Sequence, residues 1–484
     1  MSSVSDTTRV ATTPAAPEAP PKYWGTTLVL LTGTFISVLD FFIVNVAIPS
    51  MQRDLGATSA GIEWIVAGFA LAFGASLIID GRLGDIFGRR KMFVLGLALF
   101  IASSALCGAA PNVTVLIIGR VAQGMSAALM SPQILTILGT TFAGPLRLRA
   151  FNAYGVTMGL AAVFGQLIGG LLIRSDLWGL GWRLCFFINI PIGIVALSLV
   201  PRFVKESRAP GRPRLDVGGM ILIALALTAV VLPMIEGRQH GWPPWAWASF
   251  VVAAVLFLAF AFYEDRLARS GGSPVIDLRL FRERAFTAGL LSQLVFWTGQ
   301  ASFFLVLALY LQFGRGYNAL QAGLVFIAIG VGYMATSTTA RFVAGRIGRQ
   351  TIALGGLLRL IGLTLILIAV AHIGVEGNIA WLIPGLVIDG AGQGMGVAPL
   401  ATTVLARITP AHAGAASGVL TTGVQVGNAL GVAIVGVIFY GVLSLTPGAI
   451  GYAHAFSWSV FYLLFVGVAL IGLVQLLPKT AGAR

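Results

Sequence analysis

The sequence predicts an all-α integral membrane protein of fourteen transmembrane helices, built as two six-helix bundles around a two-helix central insert. Three observations carry this. The 484 residues are 57% hydrophobic and only 10% charged, against roughly 25% charge in a soluble domain. The apolar residues gather into fourteen runs, each close to the about 20 residues that span a bilayer core. The basic residues fall between those runs and favour one side.

These observations also exclude. A soluble enzyme of this length needs a charged surface that the chain lacks. The 61 glycines suit membrane helices, where glycine is commoner than in soluble ones. A β-barrel would alternate apolar and polar residues, whereas these runs are continuously apolar. A net charge of +14 could serve nucleic acid only as a patch on a soluble face, so no nucleic-acid partner is expected. Cys107 and Cys185 lie singly in apolar runs, with no disulfide framework or metal site.

Taken in order, residues 1–22 form an Ala-, Pro-, Thr- and Ser-rich tail, read as disordered. It has no apolar core and is no secretory signal. The N-terminal bundle occupies 23–201, with runs at 24–49, 61–80, 92–110, 113–140, 151–173 and 183–201. Residues 202–284 hold a linker with two inserted helices at 217–235 and 245–263. Two basic stretches bracket them: RFVKESRAPGRPRLD at 202–216 and EDRLARSGGSPVIDLRLFRERA at 264–285. The C-terminal bundle occupies 285–478, with runs at 286–311, 321–340, 351–371, 381–405, 417–441 and 455–477. Residues 479–484 form a second tail. Two six-helix halves suggest a duplicated transporter with its site near the midplane between them.

The charge count orients the chain. With the N-terminus inside, Arg53, Arg174, Arg183, Arg238 and Arg315 fall outside, and Arg120 and Arg359 lie within runs. The other 24 of the 31 Lys and Arg residues fall inside, a positive-inside bias that puts both termini in the cytoplasm.

Six strings resemble a known family. GRLGDIFGRRK (Gly81–Lys91) matches the loop signature of the major facilitator superfamily. LDFFIVNVAIP (Leu39–Pro49), Arg120 in IIGRVAQGMSAA, GLAAVFGQLIGG (Gly159–Gly170), WRLCFFINIPIG (Trp182–Gly193) and GAGQGMGVAP (Gly390–Pro399), with the helix count, resemble its 14-helix drug:proton antiporter branch. The resemblance covers nearly the whole chain. It implies the major facilitator fold and alternating-access export driven by proton entry, with protons as coupling ion and no cofactor. The substrates implied are amphipathic organic compounds: drugs or a self-made antibiotic or secondary metabolite. A monomer in a bacterial plasma membrane is the matching expectation. Export of a narrow native solute (an amino acid, lipid precursor or siderophore) and a non-transporting membrane sensor remain as alternatives.

The residues supply their own argument. A charge in mid-membrane costs on the order of 3 kcal/mol on insertion scales, so it needs a partner or a function. Asp40 in the first run and Arg120 in the fourth lie at matching depths, by a rise of about 1.5 Å per residue. They are expected to pair and to serve proton coupling. Asp389 and Arg359 form a second candidate pair, within reach of an arginine side chain. Glu63, beside Trp64, is read as an interfacial anchor or an outer proton entry. Asp80 is read as a solvated end charge. The histidines (His240, His372, His412 and His454) fall in loops or at run ends and are read as surface residues.

In the loop, Gly81, Gly84 and Gly88 allow a tight turn, Asp85 can accept from Arg89, and Arg89, Arg90 and Lys91 anchor the inner side. The resemblance makes this loop a gate that closes against the other half. In the fifth run, Gly155, Gly159, Gly165, Gly169 and Gly170 strip side chains from one helix and allow close approach. Gln166 stands where the family carries proline, which predicts a straighter helix with an added polar group. The expected cavity lining is Phe41, Gln123, Met125, Gln293, Trp297, Gln300, Phe304, Gln393, Gln425 and Asn428. Gln293, Trp297, Gln300 and Phe304 share a face through their spacing of four, three and four, and Thr421 joins Gln425 and Asn428 on another. A polar and aromatic wall with few charges suits an amphipathic molecule, with Asp40 or Asp389 as counter-charge to a cation.

Overall fold

The computed structural model describes residues 23–208, 216–270, 272, 274, 276, 278–405 and 413–477. The two expected tails and His412 lie outside the described residues. Every regular element among the described residues is helical. Among the described residues, thirteen helices are long and apolar enough to cross a membrane.

The N-terminal six are α1 (Tyr23–Leu55), α2 (Ser59–Phe87), α3 (Arg89–Gly108), α4 (Val113–Thr141), α5 (Gly144–Ser175) and α6 (Gly181–Phe203). The insert is α7 (Val217–Gln239) and α8 (Pro244–Arg269). The C-terminal bundle is α9 (Arg284–Gly314), α10 (Ala319–Ser337), α11 (Gln350–Ile373), α12 (Ile383–Leu405), α13 (Ala413–Leu445) and α14 (Ala449–Val474). Of these, α12 falls on the twelfth predicted run, is not among the thirteen apolar spans, and packs against α10 and α11. The membrane face that carries the α2–α3 turn is called the near face below, and the face that carries the α1–α2 turn the far face.

Local chemistry accounts for the departures from the expected runs. Within α6, Pro191 has no N–H to return to Phe187, and the helix divides into Leu184–Phe187 and Asn189–Phe203. The stretch after α10, expected as loop, forms a short amphipathic helix, Ala340–Ile347. The last turn of α9, Tyr310–Gly314, widens into a π-helix. The loop signature is mostly helix: α2 runs on through Gly81, Gly84 and Asp85, and only Gly88 turns, with φ of 111°. Gly84 is needed for a different reason from the one expected. A Cβ there would stand 1.9 Å from the Gln133 side-chain oxygen on α4.

Two seams join the halves: α2 against α13 and α5 against α10. Gly74 of α2 lies against Gln425, and Gly436 of α13 lies against Glu63. Both seams run from mid-membrane to the far face. The insert docks by α7 onto α2 and α13. By contrast, α8 packs on α7 and is buried only at Ala246, Ala253, Phe260 and Glu264.

Candidate functional site

Asp40 is completely buried on α1 and ion-pairs with the buried Arg120 of α4. Its Oδ1 accepts from Gln123 Nε2 at 3.0 Å and from Asn189 Nδ2 at 2.8 Å. Both amides also reach the Ser104 hydroxyl, at 2.8 and 3.3 Å. Arg120 donates through Nε to the Ile65 carbonyl at 2.9 Å and through Nη1 to Gln123 Oε1 at 2.9 Å. Its guanidinium carbon lies 4.5 Å from the Phe69 ring centre, within cation–π range. Five of the six N-terminal helices therefore feed one charge cage. Such a cage is what a buried ion pair needs, because desolvation otherwise exceeds the Coulomb gain.

The second half repeats the arrangement with other parts. Arg359 Nε donates to Asp389 Oδ1 at 3.1 Å, and Gln393 Nε2 to Asp389 Oδ2 at 2.6 Å. Gln300 of α9 donates to Gln393 at 2.7 Å. The helix 12 glycines explain how α11 and α12 come so close: a Cβ on Gly392 would stand 2.6 Å from Arg359 Cγ.

Aromatic rings cross between the halves beside the first cage. Phe42 of α1 meets Phe304 of α9 at 5.0 Å, and Phe304 stacks on Phe326 of α10 at 5.5 Å. Phe41 lies 5.8 Å from Phe69. The glycines of α5 complete the crossing. Gly165 and Gly169 pack on α1 at Leu39–Val46, whereas Gly170 and Gly159 pack on Ala319 and Tyr333 of α10. A single glycine helix is thus pressed between the segment bearing Asp40 and the opposite half. In it Gln166 is fully buried, with neither side-chain polar atom hydrogen-bonded. Its backbone touches Gly323 of α10, and α5 runs on as one 32-residue helix.

This is the anatomy of a two-half membrane transporter, and residues 30–432 match the Major Facilitator Superfamily. The chain belongs to that superfamily. It is a multi-pass membrane transporter rather than an enzyme. The chain is 37% identical to the Probable actinorhodin transporter of Streptomyces coelicolor, over 88% of this chain and 74% of that protein. It is 32% identical to the puromycin resistance protein pur8 of Streptomyces alboniger, over 97% and 95%. Among solved structures, a POT family transporter in complex with a thioalcohol-conjugated peptide superposes with a TM-score of 0.64. That match has 17% identity over 93% of this chain and 94% of the other, a likeness of fold.

Several positions of this major facilitator chain differ from the sequence expectation. Glu63 is neither a surface anchor nor open to the outside: it is completely buried and pairs with Arg238 of the insert at 3.0 Å. Trp64 donates to Glu236 at 2.9 Å, and Arg238 lies 4.8 Å from the Tyr440 ring of α13. Asp80 is not a solvated end charge but 7% exposed. Gln123 belongs to the Asp40 cage. Met125 leaves the expected lining altogether. It points away from Gln123 into a groove between α2, α3 and α4, because two residues along a helix turn a side chain by about 200°.

On α9 and α13, Gln293, Gln300, Thr422 and Asn428 each keep a buried acceptor without a partner, and Asn428 reaches Gln425 at 3.3 Å. Trp297 packs by its Cβ on Gly427 of α13. The loop expected to hold the inner gate closed in the outward-facing state contacts the insert linkers in this structure. Asp85 pairs with Arg89 at 2.8 Å. The Arg90 and Lys91 amides donate to Glu206 at 3.1 and 3.2 Å, Arg89 N donates to Ser207 O at 3.0 Å, and Arg82 to the Pro274 carbonyl. Glu206 thereby caps the start of α3, where negative charge is favoured. Asn189, Ser104, Arg238 and Glu206 were missed by sequence reasoning. The only signal for Asn189 was its place in the WRLCFFINIPIG string.

Proposed function

We propose that the chain exports amphipathic organic compounds of the drug or antibiotic class in exchange for protons, with Asp40 as the carboxylate that carries the proton. The observation that carries this reading is the Asp40 cage and its position. The cage sits on the α1 segment that packs on the α5 glycines, and Phe42 of the same segment touches Phe304 of the other half. Protonation of Asp40 removes the counter-charge of Arg120. An arginine left unbalanced in a buried site is costly, so α1 and its neighbours shift. Through α5 that shift reaches the α10 seam. The names of the two relatives support export of a small organic antibiotic.

With the near face cytoplasmic, on the positive-inside count, the seams close the outer side and leave the inner side to receive substrate. Asp389 and Arg359 supply a second charge pair on the same route, and the unpartnered acceptors of α9 and α13 offer hydrogen bonds to the substrate. The coupling ion is the proton, without a cofactor, and the working unit is a monomer in the plasma membrane.

The test is proton release from inverted vesicles on addition of lipophilic dyes and antibiotics, with intact protein and Asp40→Asn side by side. A response present in the intact protein and lost in the variant supports the reading. A response that survives in Asp40→Asn overturns it.

A further inference from the structure

The groove that takes Met125 opens between α2, α3 and α4 of the N-terminal bundle. Its floor is the face of α4 opposite Gln123, and its walls are α2 and α3, which bring Ser76, Asp80 and Leu99 to it together with Met125, Ser126 and Leu129. Leu99 and Met125 are 47% and 53% exposed, as expected of residues that meet lipid. The cavity holds about 410 Å³, the size of a small-ligand site.

One polar feature does not belong in a lipid-facing wall. Asp80 lines the groove while nine-tenths buried, and its Oδ2 has no hydrogen-bond partner among the described residues. Gln133 serves only its backbone carbonyl, at 2.6 Å. Three other buried intramembrane acids each face an arginine: Asp40 has Arg120, Glu63 has Arg238 and Asp389 has Arg359. At Asp80 the place of the cation is the groove itself. An acid in a membrane wall needs a partner or a function. Walls of apolar side chains and a few serines, with one carboxylate at the near-face end, match a molecule with an apolar body and a single cationic head.

We propose that this groove is a membrane-facing binding site for an amphipathic organic cation, with Asp80 as its counter-charge. The site draws its ligand from the bilayer and is separate from the Asp40 cage. It stands apart from proton coupling at Asp40.

The experiment uses the full chain in lipid nanodiscs and a photoreactive alkyl quaternary-ammonium probe, with a neutral probe of equal length beside it. Labelled peptides are mapped by mass spectrometry. The cationic probe is expected to label residues of α3 and α4 between 99 and 129. Asp80→Asn reduces that labelling by about fivefold or more. Met125→Trp, which fills the groove without touching the charge, reduces it as well. Asp40→Asn leaves it intact, so loss of proton coupling and loss of this site are read separately. Thermal melts show that each variant is folded. Equal labelling in Asp80→Asn, or equal labelling by the neutral probe, overturns the proposal. So does labelling abolished by phosphatidylethanolamine in the disc, which would make the groove a site for lipid amines.

Discussion

Arg238 stands 3.0 Å from the carboxylate of Glu63, and this ion pair joins the Trp64–Glu236 bond and the Tyr440 contact in tying the inserted helix α7 to the seam between the halves. Glu63 belongs to α2, and the face it occupies is left open by Gly436 of α13. The insert is thereby a clip across the far side of the transporter. Removing Arg238 strands a buried carboxylate, a change that costs about 3–5 kcal/mol in a fully buried pair. Arg238 is partly exposed, so the cost lies towards or below the lower end. Arg238→Gln should lower the melting temperature, and adding Glu63→Gln should restore most of the loss. Additive losses in the double variant would show that the pair is not coupled.

The α5–α10 seam has no slack at Gly170. A Cβ there would stand 2.5 Å from the Ala319 carbonyl oxygen and 2.7 Å from Leu320 Cα, both backbone. Gly170→Ala should hold the seam apart and raise thiol labelling of Ser50→Cys, which lines a cavity with Ile173 and Arg174 of α5 and Ala319 of α10. Both native cysteines are buried, so the background is low. Gly155→Ala meets nothing within 4 Å and should leave the labelling rate unchanged.

Asn189 is the donor that sequence reasoning passed over. A hydrogen bond to a charged group contributes about 1.5–3 kcal/mol, or a factor of about 10 to 100. Asn189→Leu should cut substrate-stimulated proton flux by at least about tenfold, in protein that still purifies as a folded monodisperse species. Flux within about twofold of the intact protein would assign Asn189 to packing alone.

Gln166 carries an amide with no partner in the sealed arrangement. A buried polar group left unsatisfied costs about 1–3 kcal/mol. Gln166→Leu keeps the size and removes the penalty, so it should raise the melting temperature and slow transport by favouring the sealed seam. A lower melting temperature would show that the amide finds water or another partner there.

The all-helical membrane fold and the depth match of Asp40 with Arg120 were legible because each depends on local quantities. Apolar run length sets the spans, and residue counting from a run end sets the depth. Asp389 and Arg359 were legible as a candidate pair on the same ground. The error at Glu63 had the opposite cause. Its position at the end of a run made it look wet, and only the arrival of α7 and α13 makes it dry. Asp80 failed for the same reason, with α3 and α4 as the covering helices.

By itself the sequence determined the membrane solvent, the all-helical class and the scarcity of intramembrane charges that must find partners. These follow from the transfer of side chains into a bilayer, which each segment undergoes independently of the fold. The tertiary structure alone decided that Asn189 completes the Asp40 cage, that Gln166 sits unpaired in the seam, and that Met125 faces the groove between α2, α3 and α4 with Asp80. Those outcomes depend on which helix faces meet. Glycines set that by allowing backbones to approach at Gly165, Gly170 and Gly392, and no single segment contains that information.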